Sequence, residues 1–221
     1  MRLFLGIEVP SEAARALAAA GPACWAGTGC EAEGGAGGRE PPRWTAAGDL
    51  HLTLRFLGEL ERAGHAPWPT GADGSPTPEL PPDLAPELER ACARLAAFAA
   101  GSRPAPLSLD RLGVFPGRGR RARVLWVGPG ELPPAWAGLA AAAEAEARAL
   151  GFPPGRATWR PHVTLARPRP REAAAAAALA GRPLPTPVAL PCAAICLFSN
   201  RGAVEGAAPR YRVEHRAPVP D

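Results

Sequence analysis

The sequence predicts an α+β protein with two similar lobes around one cleft, and three observations predict it. A strand-like motif is written twice, as His51-Leu52-Thr53-Leu54 and as His162-Val163-Thr164-Leu165, once in each half of the chain. Several strand-like runs follow one another with only a turn between them, as antiparallel hairpins require. Ala-rich segments with helical spacing fill the intervals. A pseudo-twofold arrangement would set the two motif strands side by side.

The repeat is not a product of composition. With 4 His and 8 Thr among 221 residues, random placement gives about 0.14 His-x-Thr pairs. Two occur, and both continue with Leu.

Taken in order, residues 2–9 form an apolar first strand closed by Pro10. Ser11 and Glu12 open a helix that Gly21 should stop. Residues 26–42 are crowded with Gly and have no periodicity, so a flexible loop is expected. Arg43 and Trp44 reopen order before the first motif strand, which ends at Gly58. Residues 63–83 are rich in Pro and Gly and read as a second flexible loop. His65 lies in it as a solvated residue. Leu84, Leu88, Leu95 and Phe98 keep helical spacing through 84–100. Residues 106–112 and 122–128 read as strands. The turn between them carries Arg118, Arg120, Arg121 and Arg123, which suits an RNA backbone or plain solvent. A helix over 134–150 ends at Gly151. The second motif strand follows Pro161, a helix over 171–180 stops at Gly181, and strands follow at 193–198 and 210–215. Alternation puts Tyr211, Val213 and His215 on one face of the last strand, His215 as a packing residue.

Composition narrows the class. The chain is 47% hydrophobic, enough for a real core, with net charge +4 and pI near 9.1. A basic surface favours anionic partners. All 25 basic residues are Arg, in a chain rich in Ala, Gly and Pro. That pattern reads as coding bias, so Arg by itself is no sign of phosphate recognition. The five Cys form no C-x-x-C pair, and neither a disulfide framework nor a zinc site is expected. Cys192 and Cys196 read as small buried hydrophobes. The N-terminus is too soon charged for a signal peptide, and no run reaches membrane-spanning length. A cytoplasmic monomer forming a single domain over 1–221 is expected.

The motif itself carries chemistry. Side chains alternate along a strand, so His51 and Thr53 share one face while Leu52 and Leu54 anchor the other. His162 and Thr164 repeat this over Val163 and Leu165. Two imidazoles across a cleft can exchange protons near neutral pH, one as base and one as acid. Two Thr hydroxyls can donate to phosphate oxygens, and Arg167 can offset negative charge that grows in the transition state. The motif ties no Cys, Ser or Asp to either His as a triad would need. Nor does it gather the carboxylates of a two-metal site. Metal-free phosphodiester chemistry without a cofactor is expected. Phe56, on the alternation of Leu52 and Leu54, is assigned to the core.

These residues resemble the two-histidine (2H) phosphoesterase superfamily, and within it the RNA 2′,3′-cyclic phosphodiesterases of the LigT/ThpR type, long called 2′-5′ RNA ligases. Further segments share the resemblance: Arg2-Leu3-Phe4-Leu5-Gly6-Ile7, Arg43-Trp44, Arg55-Phe56-Leu57-Gly58, Leu112-Gly113-Val114-Phe115-Pro116, Arg123-Val124-Leu125-Trp126-Val127, Leu150-Gly151-Phe152, Leu197-Phe198-Ser199 and Pro209-Arg210-Tyr211. The resemblance implies a bilobal fold with antiparallel sheets lining a central cleft and helices outside. It implies hydrolysis of RNA 2′,3′-cyclic phosphate ends to 2′-phosphomonoesters, with 2′-5′ joining or cleavage in some members. By motif position, His51 would protonate the departing 3′ oxygen and His162 would activate water. Thr53, Thr164 and Arg167 would hold the phosphate.

Two other readings remain. One is a related two-histidine phosphodiesterase acting on small cyclic nucleotides or 2′-5′ oligoadenylates. The other is an RNA-binding module without turnover, which two intact motif histidines disfavour.

Overall fold

The computed structural model describes residues 2–28, 42–59, 84–117, 121–155, 158–200 and 210–220. In chain order the strands and helices are β1 (Arg2–Glu8), α1 (Ser11–Ala26), β2 (Arg43–Trp44), β3 (His51–Glu59), α2 (Ala85–Ser102), β4 (Leu107–Phe115), β5 (Val124–Gly128), α3 (Pro134–Ala149), β6 (Val163–Arg167), α4 (Ala173–Ala178), β7 (Pro183–Leu190), β8 (Ala194–Asn200) and β9 (Tyr211–Pro218). The fold is α+β, as expected. The two expected loops, at 26–42 and 63–83, lie outside the described residues except for the ends of the first. His65 and Arg118 to Arg120 lie outside them as well.

Every strand pairing is antiparallel, in the order β7-β4-β5-β6-β3-β1-β8-β9, with β2 added to β6. The two halves of this sheet meet at β3 and β6, which share a single ladder position, Leu52 opposite Val163. Elsewhere the two strands part, and the sheet opens into a cleft. Helices α2 and α3 pack on one half, against β8, β9 and β3; α1 and α4 pack on the other, against β7, β6 and β4.

β1 shows how sequence becomes position. Leu3, Phe4, Leu5 and Ile7 are all buried, because β1 is covered on both faces. Leu3, Leu5 and Ile7 enter the main core, whereas Phe4 joins Cys196 and Phe198 in a small aromatic cluster on the cleft side. Burying side chains of this size contributes about 1.5–3 kcal/mol each. Gly6 is required between them, since a Cβ there would sit 2.6 Å from the Leu52 carbonyl oxygen.

Four sequence readings are corrected. α1 does not stop at Gly21; it continues through Pro22 to Ala26. Gly21 lies against the Trp44 ring and Trp25 is buried edge-on to that ring, so tertiary packing outweighs the missing Pro22 N–H. The N-cap is Pro10 and not Ser11, and no side chain caps the helix. β7 was not foreseen, because its Pro183, Pro185 and Pro187 argue against a strand. It forms at the sheet edge, where an absent N–H costs no ladder bond. In β9 an irregularity between His215 and Val213 breaks the alternation. Tyr211 and Val213 therefore pack on the aromatic cluster, while His215 turns to Glu89 of α2 at 3.9 Å.

Candidate active site

The single β3–β6 pair sets the site. Leu52 and Val163 are both fully buried on the core side. One step either way along antiparallel strands puts His51 beside Thr164 and Thr53 beside His162, all on the opposite face. Each histidine is thus next to the other motif's threonine. All four side chains are half-buried.

Both imidazoles are held the same way. Nδ1 of His51 lies 2.8 Å from the Asp49 carbonyl oxygen, and Nδ1 of His162 lies 2.8 Å from the Arg160 carbonyl oxygen. A carbonyl only accepts, so Nδ1 carries the hydrogen and Nε2 is left for the cleft. Asp49 is tied down in turn, its carboxylate accepting from the Tyr211 backbone N–H at 3.1 Å.

Aromatic rings surround each imidazole. His51 has its ring centroid 4.7 Å from Phe4, 4.5 Å from Tyr211 and 5.5 Å from Phe198. His162 meets Phe115 at 4.9 Å and Trp126 at 5.9 Å. Gly113 lets Trp126 lie there, since a Cβ at 113 would overlap the indole. This burial is the largest cause of a lowered pKa at both histidines. His51 is pushed down to about 4, with the positive charges of His162 and Arg167 adding to the effect and the Asp49 carbonyl bond opposing it. His162 is lowered too, by burial first and then by Arg160 and Arg167, against its bond to the Arg160 carbonyl.

Arg167 reaches this face by a bulge. Strict alternation from His162 would turn residue 167 away. Trp126 pairs with Thr164 and Leu125 pairs with Ala166, so Leu165 is an extra residue in β6. Ala166 goes to the core and Arg167 returns to the cleft, exposed, where its charge bears on both imidazoles.

β3 carries similar irregularities. Gly6 pairs with Thr53 and Leu5 with Arg55, then Phe4 with Phe56 and Leu3 with Gly58. Leu54 and Leu57 are the extra residues, and both are buried. The assignment of Phe56 to the core is corrected: it lies beside Phe4 on the cleft side and is 53% exposed. Arg55 is turned to α3, where it pairs with Glu144 and donates to the Pro153 carbonyl. Glu144 also accepts from the Gly155 N–H at 3.0 Å. Trp159 donates from its indole N–H to the Thr53 carbonyl at 2.9 Å. The segment before His162 is thereby fixed along β3.

The structure thus brings His51, His162, Thr53, Thr164 and Arg167 onto one face. Among the described residues no group of three or more His, Cys, Asp or Glu side chains is placed to hold a metal ion. Sequence reasoning missed the aromatic rings around the histidines and the Trp159 bond. Phe4 and Phe198 were legible only as core, since nothing in a buried strand marks which face a ring takes.

Residues 39–203 match the family model of the 2′-5′ RNA ligase superfamily. The chain belongs to this superfamily. Members of this superfamily hydrolyse or join phosphodiester bonds. The expected two-histidine fold is borne out. Solved structures similar to this one include Escherichia coli LigT with 3′-AMP, 22% identical, TM-score 0.57, covering 100% of this chain and 99% of that one. TT0787 of Thermus thermophilus is 23% identical, TM-score 0.60, with 99% and 98% covered. A further phosphoesterase is 23% identical, TM-score 0.58, with 100% and 99% covered. No curated protein sequence matches the chain. Among the described residues no helix is long and apolar enough to cross a membrane.

Proposed function

We propose that this superfamily member hydrolyses the 2′,3′-cyclic phosphate ends of RNA to 2′-phosphomonoesters, with His51 and His162 as its acid–base pair. The observation that carries the reading is the matched anchoring of the two imidazoles. Each gives Nδ1–H to a carbonyl and keeps Nε2 for the shared face. A bare Nε2 takes a proton from water; a protonated one gives a proton to a leaving oxygen. In the proposed step His162 accepts the proton of the attacking water, a new P–O bond forms, and the P–O3′ bond breaks. His51 protonates O3′, and the 2′-phosphate remains. Thr53 and Thr164 donate to the non-bridging oxygens. Arg167 stabilises the charge that builds on them. The cyclic end, in preference to a linear diester, rests on the family resemblance.

A specific observation favours the reverse roles. Burial and the charges of His162 and Arg167 push His51 down to about 4, against its being the protonated partner in the free site. A bound phosphate anion raises both values, and the acid is whichever imidazole it raises further.

The test is an assay of a 2′,3′-cyclic-ended oligonucleotide beside a mononucleotide and a 2′-5′ oligoadenylate, all in EDTA. Hydrolysis of the oligonucleotide to a 2′-phosphate is expected. Turnover restricted to the small nucleotides or the oligoadenylate would transfer the protein to the related phosphodiesterases. Binding without turnover would make it an RNA-binding module. Activity lost in EDTA and restored by a divalent ion would end the metal-free mechanism.

A further inference from the structure

Strand β2 sets an arginine directly against Arg167. Trp44 pairs with Ala166 and turns inward, half-buried against Trp25 and Gly21. The Thr45 N–H donates to the Leu165 carbonyl at 2.8 Å and holds the same register. Arg43 then lies opposite Arg167, and residues opposite each other in a ladder share a face, here the cleft face. Both are exposed. Like charges so placed destabilise a sheet. Among the described residues neither guanidinium has a carboxylate partner. The anchoring of Trp44 thus holds together two positive charges that only an anion would reconcile. The two are not equivalent. Arg167 bears on both imidazoles, and among the described residues Arg43 is not one of the charges that bear on either. Arg43 stands one interstrand spacing, about 5 Å, farther from the reacting groups.

We propose that Arg43 binds a second phosphate of the substrate, the one on O5′ of the nucleoside whose 2′,3′-cyclic phosphate reacts. The inference rests on the reaction proposed above and names a residue that selects its substrate. Arg167 is left to the reacting phosphate, and Arg43 takes the next one. One ribose separates the two phosphates, a span that two long side chains on adjacent strands can bridge. An anion at each guanidinium removes the repulsion between them. The planar fork of Arg43 can give two parallel N–H donors to phosphate oxygens. Such a contact reads charge and no base edge. Substrates with a phosphate on O5′ should therefore be preferred to nucleoside cyclic phosphates without one, whatever their sequence.

The test compares a dinucleotide ending in a 2′,3′-cyclic phosphate with the same dinucleotide carrying an uncharged methylphosphonate linkage. In the native protein the charged substrate should have the higher kcat/KM by about 10-fold, the scale of one charge-assisted hydrogen bond. Arg43→Gln should bring that ratio close to one. The dependence of log kcat/KM on log salt for the charged dinucleotide should become shallower by about 0.7 in Arg43→Gln, as one lost phosphate contact requires. Two further substrates distinguish the source of the phosphate: a nucleoside 2′,3′-cyclic phosphate with a free 5′-hydroxyl, and the same nucleoside with a 5′-phosphate. A gain over the free hydroxyl for the dinucleotide identifies the diester of a strand. A gain confined to the 5′-phosphorylated nucleoside identifies the monoester of a mononucleotide, and a gain for neither overturns the proposal. Equal losses on the charged and uncharged dinucleotides in Arg43→Gln would also overturn it, making Arg43 structural while the proposed reaction stands. If the native protein hydrolyses no cyclic phosphate, the proposed reaction fails and calorimetry decides for Arg43. A dinucleotide 2′-phosphate should then bind more tightly than its methylphosphonate analogue, and Arg43→Gln should erase the difference; no difference in the native protein would overturn the proposal. If Arg43→Gln does not fold, Arg43→Met decides by the same ratios.

Discussion

The indole N–H of Trp159 reaches across from the second motif segment to the carbonyl of Thr53, 106 residues away, at 2.9 Å. It supplements a seam that otherwise has one ladder pair between β3 and β6. Thr53 and His162 keep their relative placement largely through it and through Arg55. Trp159→Phe removes the bond and retains the ring. A net loss of about 0.5–1.5 kcal/mol is expected, and kcat should fall by about 10- to 100-fold with KM little changed, because misplaced groups lose rate steeply. Paired steady-state kinetics and thermal melts would check this. A lowered melting point with native kcat would reduce Trp159 to a structural residue.

Burial among aromatic rings has a consequence for pH. The reaction needs one protonated and one neutral imidazole, and both pKa values lie below the ordinary 6.5 in the free site. The bell-shaped profile of kcat/KM, which reports the free enzyme, should therefore peak on the acid side of 6.5. Bound phosphate raises both values, so the kcat profile should be displaced toward alkaline pH. For stability the sign follows from His51 being lowered to about 4. Between about 4 and 6.5 the unfolded chain holds a proton that the native state does not, so stability falls as pH drops through that window. A kcat/KM maximum above pH 7 would contradict the effect of burial.

Arg167 stands on the reacting face only because Leu165 is an extra residue. Arg167→Ala should lower kcat/KM by about 10²-fold or more, as losing one transition-state charge contact does. Native kcat/KM in Arg167→Ala would place that residue outside the site.

The roles of the two histidines separate with a substrate whose 3′ oxygen is replaced by sulfur, which leaves without protonation. If His51 is the acid, this substrate should restore His51→Ala and leave His162→Ala inactive. The reverse pattern exchanges the roles. The double variant should be little worse than either single one, because the pair works as a unit. Rescue of neither would mean that neither imidazole protonates the leaving group.

Much of the site was legible because a two-residue period and a repeated motif need no tertiary knowledge. Leu52, Leu54, Val163 and Leu165 went to the core, and His51, Thr53, His162 and Thr164 to the other face. The misread faces have one physical source, the assumption that the period never slips. The extra residue Leu54 put Phe56 in the cleft, and the irregularity near Glu214 turned His215 to α2. A bulge has no residue signature here, since each extra residue in β3 and β6 is an ordinary buried Leu. β7 and the end of α1 failed for the complementary reason. Gly21 was read as a local breaker and no strand was read through the prolines of β7; the Trp25–Trp44 contact in one case and an edge position in the other made the difference.

The strand order also constrains synthesis. β1 lies between β3 and β8, and β9 closes the sheet beyond β8. The lobe that holds His51 is thus built from both extremes of the described chain, with the other lobe inserted between them. A ribosome releases β1 and β3 early, yet β1 keeps an unpaired edge until Ala194–Asn200 has emerged. At about 5–20 residues per second, the nascent chain carries that edge open for about ten seconds or more. The inserted lobe, whose strands β4 to β7 are contiguous in sequence, can fold first, so His162 should be in place before His51.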